Sequence, residues 1–336
     1  MSIQNEIVLA GKFLTEALTS YEPDLMETVY PEYWGYEGQY HQAIADLPFG
    51  TLKYTTARID YTGRAANYGG KASTIPLANF GVNMDEYKCQ VGILAAEWGW
   101  QELRSEEAAA KNPYLPKTNV VQSYRNALEK GLREWMHIRT VFGDAAIGFT
   151  GLINNPFVEV INVTAAANGV TGTGATADTC YDWFRSNLSS FRKSSKLTAE
   201  TTMAIVSEDI RASLQKRYTT NSSDSTPAGT LTNGQGAASL RDFKTVNEFA
   251  GDMVRAADGG NMTSIGGVTI SDTDDLVMFV DAGTGDNVKR HYADIDTMPP
   301  NLLDDGLTYR QIGMCATSEV MFHQPFRAKL YVLKKS

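Results

Sequence analysis

NVVQSYRNALEKGLREWMHIRTVFGDAAIGFTGLINNP, residues Asn119 to Pro156, holds a long two-faced helix that stops at a glycine and empties into a Gly/Ala-rich loop closed by Asn-Asn-Pro. Val121, Tyr124, Leu128, Leu132, Trp135, Ile138 and Phe142 recur at steps of three and four, which puts them on one apolar stripe. Gln122, Arg125, Glu129, Arg133 and His137 form the opposite, wet face, with Glu129 four residues before Arg133 in the favourable order for an ion pair. Asn119 with Gln122 is a variant capping box, and Gly143 suits a left-handed C-terminal cap. At 1.5 Å per residue the helix runs roughly 36 Å, the length of a structural spine.

Upstream, Tyr87, Cys89, Val91, Ile93 and Ala95 alternate with Glu86, Lys88 and Gln90, so Asp85 to Ala96 reads as a half-buried strand. A helical stretch follows, with Trp98 and Trp100 as core anchors, and Asn112-Pro113 ends it. Leu52 to Phe80 contains two β-prone runs around a Gly-rich turn, the pattern of a hairpin. Its first strand is largely polar on both faces, and an isolated two-stranded ribbon is marginal in water, so it should lean on a partner. Before it, YPEYWGYEGQYHQ concentrates Tyr30, Tyr33, Trp34, Tyr36 and Tyr40 in an arm with little core of its own; aromatics at that density dock on a surface, of this subunit or another.

Downstream, Val158 to Thr164 reads as a strand, Ala177 to Phe191 as an amphipathic helix, Met203 to Ser207 as a buried strand and the segment after Ser207 as a capped helix. Together they predict a second, α/β lobe within an α+β chain. Thr219 to Ala238 is nearly free of large apolar residues and reads as a loop. Leu276 to Ala282 is a strand. Phe326, Ala328, Leu330 and Val332 alternate in a terminal strand, expected to return to the first lobe's sheet.

The 336 residues, 43% of them hydrophobic, suffice for a sizeable core, and no run of 18 apolar residues marks a membrane span. A net charge of -9 disfavours sequence-specific nucleic-acid binding. Three distant cysteines, Cys89, Cys180 and Cys315, read as reduced thiols. Four scattered histidines offer no metal-ligand spacing, and Asp272, Asp274 and Asp275 lack the glycine and glutamate of a calcium loop, so they read as a solvated turn. Gly172-Thr-Gly174 imitates a dinucleotide fingerprint, yet seven residues separate it from the strand where the motif requires a tight turn. No nucleophile elbow or phosphate loop occurs, so neither a catalytic, a cofactor-binding nor a metal-binding residue is predicted.

The order of arm, polar hairpin, strand, spine helix, Gly-Leu-Ile-Asn-Asn-Pro loop, α/β lobe and returning strand resembles the major capsid proteins of tailed bacteriophages. Their Hong Kong 97-type shell fold is shared with encapsulins. Gly143 to Pro156 carries the closest echo, backed by YKCQVGILAAEWGWQELRS before the spine and AIVSEDIRASLQKRY after it. The resemblance implies an N-terminal arm (1–49), an extended hairpin loop (50–82), a peripheral domain (83–157) with the spine at 119–142, an axial domain (158–305) and a return to the peripheral domain (306–336). It implies a non-enzymatic virion subunit without cofactor, assembling into pentamers and hexamers of an icosahedral head. Its partners would be copies of itself, scaffolding, portal and decoration proteins, and packaged double-stranded DNA held without sequence readout. No scaffolding extension of helical length is read at the N-terminus, so a separate scaffold or self-assembly is expected. Subunit contacts fall to the arm aromatics and, on the hairpin, to Tyr54, Arg58, Tyr61, Arg64, Tyr68 and Lys71, the last read as a solvated lysine. The rival readings are an encapsulin-like compartment shell and an α/β nucleotide-dependent enzyme using the Gly172 loop.

Overall fold

The computed structural model describes residues 33–37, 41–62, 79–104, 120–196, 202–218, 225–232, 240–257, 262–281 and 287–335. Among these, Ile93–Leu132 and Asp296–Met314 contribute to one compact unit, and Tyr33–Gly92, Arg133–Ile295 and Cys315–Ser336 to a second, larger one. The strands in chain order are β1 (Gln42–Ile44), β2 (Lys53–Thr62), β3 (Asn79–Gly99), β4 (Gly143–Asp144), β5 (Phe149–Thr150), β6 (Glu159–Val163), β7 (Thr202–Val206) and β8 (Asp242–Thr245). They continue with β9 (Ser264–Ile265), β10 (Val268–Thr269), β11 (Asp275–Asp281), β12 (Val288–Thr297), β13 (Asn301–Leu302), β14 (Thr308–Ser318), β15 (Met321–Phe322) and β16 (Ala328–Leu333). A seven-stranded sheet runs β1-β12-β14-β3-β2, with β13 on β14 and β15 on β12; a five-stranded sheet runs β6-β16-β11-β7-β8.

The spine forms over Val120–Val141 and ends, as its glycine predicts, with Gly143 at φ +72°. A side chain there is excluded twice, because a Cβ would also lie 2.3 Å from the Phe149 carbonyl oxygen and 2.6 Å from the Gly151 nitrogen. The loop it opens is a compact knot. β4 pairs antiparallel with β5 around a 3-10 turn capped by Asp144, and the Leu152 and Ile153 amides donate to the Thr140 and Val141 carbonyls. Asn154 accepts from the Gly151 amide and Asn155 donates to the Val320 carbonyl, so the two asparagines fasten the loop to itself and to the strand region beyond it.

In the larger unit the five-stranded sheet is buried on both faces. Met203 and Ile205 of β7, Leu276, Met278 and Val280 of β11, and Leu330 and Val332 of β16 point into one core with Phe142, Leu152 and Ile153 from the spine's exit. Their strand neighbours Ala204, Val206, Val277, Phe279, Tyr331 and Leu333 point into a second core against Cys180, Trp183, Phe184, Leu188 and Phe191 of the helix Ala177–Ser195. Complete burial of an aliphatic or aromatic side chain is worth about 1.5–3 kcal/mol, so β7 and β11, apolar on both sides, anchor the unit. Its helix starts with a Thr176–Thr179 capping box, and Ser207 caps the next helix, Glu208–Leu214, through the Ile210 amide.

Several sequence expectations are corrected. The terminal strand β16 lies between β6 and β11 in the five-stranded sheet, not in the first lobe's sheet, because its two apolar faces need two covered faces. The strand read as Asp85 to Ala96 extends over Asn79–Gly99, and its inward alternation stops after Tyr87 and Cys89: Val91 and Ile93 are exposed. Within the smaller unit Trp98 is the core anchor expected, stacked 5.4 Å from Tyr124 and 6.3 Å from Tyr309. Trp100 is not; it begins the helical residues where strand alternation has ended, is 44% exposed, and carries Arg104 over its ring. The loop between Thr219 and Ala238 contains a short helix, Pro227–Thr232, held by the buried Leu231. Asp274 and Asp275 are buried, not solvated, because β16 delivers Lys334 and Lys335 beside them at 2.5 and 2.9 Å. Burial raises both carboxyls; the bonds from Lys334 and Ser271 outweigh it at Asp274, whose pKa is lowered, whereas at Asp275 burial wins.

Candidate subunit-interface surfaces

β2 and the start of β3 build an antiparallel ribbon from Lys53↔Lys88 to Thr62↔Asn79. At its root it is tied down: the Cys89 amide donates to the Leu52 carbonyl, Tyr87 and Cys89 are buried, and Tyr54 stacks on His291 at 4.0 Å, itself bonded to Asp46. Further out it is bare. Val82 is 53% exposed and Met84 70% exposed on a ribbon two strands wide, an arrangement that isolated chains seldom present. Arg58 and Tyr61 lie on β2 opposite Asn83 and Phe80, while Arg64, Tyr68 and Lys71 fall outside the described residues.

The arm meets the spine through a polar anchor that no local pattern announces. Trp34 is 4% exposed and belongs to the core of its own subunit, which removes it from any surface a neighbour could touch. Its indole Nε1 donates to Glu248 Oε2 at 3.0 Å, and the Gly35 amide donates to Nδ1 of His137 at 3.0 Å. Since Nδ1 accepts, Nε2 carries the proton and donates to Glu248 Oε1 at 2.7 Å. His137 is therefore buried, against the expectation of a wet face, because the arm's helical turn Trp34–Glu37 covers that side of the spine. Gly35 permits the approach: a Cβ there would stand 2.7 Å from His137 Nδ1. Burial raises the Glu248 carboxyl, but the bonds from His137 and Trp34 outweigh it and hold its pKa below the usual value. Tyr33 is half-buried, its ring 5.9 Å from that of His137; Tyr36 lies in the same helical turn, and Tyr30 and Tyr40 fall outside the described residues.

All three cysteines are buried free thiols, with burial pushing Cys180 and Cys315 up to about 12 and Cys89 up to about 11, far from a reactive thiolate. Among the described residues no group of three or more His, Cys, Asp or Glu is placed to hold a metal, and no helix is long and apolar enough to cross a membrane. Beside Gly172, the Val170 and Thr171 amides donate to Asn168 Oδ1, the Ala175 amide donates to the Gly172 carbonyl, and the helix beyond is capped by its own threonines.

Solved structures share this arrangement of elements. The chain aligns with the capsid of Myoviridae phage XM1 at TM-score 0.67 and 10% identity, covering 95% of this chain and 97% of that one. The capsid of cyanophage P-SCSP1u follows at 0.56 and 10% identity, covering 95% and 93%, and that of an empty GTA particle at 0.54 and 9%, covering 94% and 95%. The likeness is one of fold, the Hong Kong 97-like fold. Residues 63–233, just over half of the chain, match the family model described as major capsid protein, and the chain belongs to that family. It is a structural protein of the virion, assembling with its own copies into the capsid shell. No curated protein matches it by sequence.

Proposed function

We propose that the subunit closes, with many copies of itself, into pentamers and hexamers of an icosahedral head around double-stranded DNA, and that it catalyses nothing. In this reading residues 1–49 are the arm, 50–88 the extended hairpin that overlaps a neighbouring subunit, 89–157 with 306–327 the peripheral domain, and 158–305 with the returning strand 328–333 the axial domain. Scaffolding, portal and decoration proteins are partners in the same scheme. The observation that carries it is the outward exposure of Val82 and Met84 on a ribbon too narrow to bury them itself. The net charge of -9 fits a container whose wall does not grip the phosphate backbone. Many modest contacts, multiplied by valency, then supply the stability of the shell. Deleting Arg64 to Lys71 should leave a folded subunit that forms no stable shells under the electron microscope; particles of normal number and shape would refute the role given to the hairpin.

A further inference from the structure

The first rung of the ribbon is at Lys88, and that residue is held from three sides. Its amide donates to Glu319 Oε2 at 2.9 Å, and its carbonyl accepts from the Glu319 amide at 3.0 Å. Its side-chain Nζ, although solvent-exposed, reaches the carbonyls of Ile147 and Gly148 at 2.8 and 3.0 Å. Glu319 is buried, and its second oxygen accepts from the Thr150 amide at 2.9 Å, while the Val320 amide donates to the Thr150 carbonyl. Thr150 in turn pairs with Gly143, the cap of the spine. One carboxylate therefore joins the first rung of the ribbon to the glycine knot at the end of the spine.

A buried carboxylate is expensive unless each oxygen is bonded, and this one spends both on main-chain amides of two different strands, fixing backbone to backbone. The ribbon has ten rungs, Lys53↔Lys88 to Thr62↔Asn79, and extends about 30 Å at the antiparallel rise. At that reach a rotation of one degree at the root moves the far rung by about 0.5 Å, so a two-stranded lever needs a stiff root if its end is to meet a fixed site on a neighbour. We propose that Glu319 and Lys88 are positioning residues that set the angle of the ribbon relative to the spine's exit, and through it the curvature with which subunits join. The inference rests on the reading of the ribbon as an inter-subunit contact.

Four variants test it in full-length protein under shell-forming conditions. E319Q replaces one acceptor with an amide that cannot receive the Lys88 or Thr150 N–H, and K88M keeps the stem while removing the ammonium that holds the Ile147 and Gly148 carbonyls. Val280→Ala, in the five-stranded sheet away from the root, controls for stability. We expect E319Q and K88M to melt cooperatively, and their yield of closed shells of native diameter to fall at least fivefold in favour of irregular or open assemblies, with K88R restoring shells. V280A is expected to melt lower than K88M and still close shells. Should E319Q misfold, exposed Lys88 carries the test alone. Native shells from K88M, or an equal loss from V280A, would overturn the positioning role. If deleting Arg64 to Lys71 also left native shells, the reading of the ribbon itself would fall, whereas loss on deletion with native K88M shells removes only the clasp.

Discussion

His41 is buried beside Arg290 and His137, and among the described residues neither of its ring nitrogens has a hydrogen-bond partner. Burial first, then the nearby charge of Arg290, hold its pKa well below the usual 6.5. The sign follows from linkage. Above about pH 6.5 neither the folded nor the unfolded chain carries this proton; below it the unfolded chain takes the proton and the folded one refuses, so stability falls until the depressed pKa is passed. His41→Phe should remove that part of the pH dependence in thermal melts between pH 7 and 5. It should also stabilise the subunit at neutral pH by about 1 kcal/mol, since an unbonded buried polar group is replaced by an apolar one. Unchanged slopes in the variant would contradict this account. In sequence, His41 is one of four scattered histidines, and nothing near it predicts that β12 will bring Arg290, 0% exposed and bonded to Thr140 Oγ1, alongside.

The elements that were legible are those whose cause is local. Spine periodicity marks Leu128, Leu132 and Phe142 as buried, and Gly143 supplies the stop, because a helix face and a left-handed cap are written within a few residues of chain. Gly143→Ala combines a left-handed alanine, about 1–2 kcal/mol, with a Cβ inside the contact distance of the Phe149 carbonyl. It should yield insoluble protein or a melting temperature at least 10 °C lower. Gly174→Ala has a similar φ, +83°, but open space around it, and should lose only a few degrees in the same scanning fluorimetry. Elements with a distant cause were misread. β16 alternates as cleanly as any half-exposed strand, yet both its faces are covered, since β11 and β6 flank it and a core lies on either side. His137 sits at a wet position of the helical wheel and is dry only because Trp34 and Gly35, 102 residues earlier in the case of Gly35, return to it.

At the scale of the molecule, the exposed apolar residues of the ribbon are, in the function proposed above, the surface that a neighbouring subunit covers. Met84→Asp and Val82→Asp should change subunit stability by no more than about 0.5 kcal/mol, as expected at solvated positions, while cutting the yield of assembled particles at least tenfold by light scattering and electron microscopy. Full assembly by the double variant would show that this ribbon face is not an interface. The sequence by itself determined the α+β class, the spine and its cap, the polar first strand of the hairpin, the capped helix after Ser207 and the family resemblance, because periodicity and caps are encoded at separations of a few residues. Only the tertiary structure decided which sheet receives the last strand, that Asp274 and Asp275 hold the C-terminal lysines, that Trp34 and His137 lock the arm, and that Glu319 braces the ribbon. Those outcomes depend on which charges and amides meet across 60 to more than 200 residues of chain, and a buried polar group is satisfied by whatever the fold places opposite it, not by its neighbours in sequence.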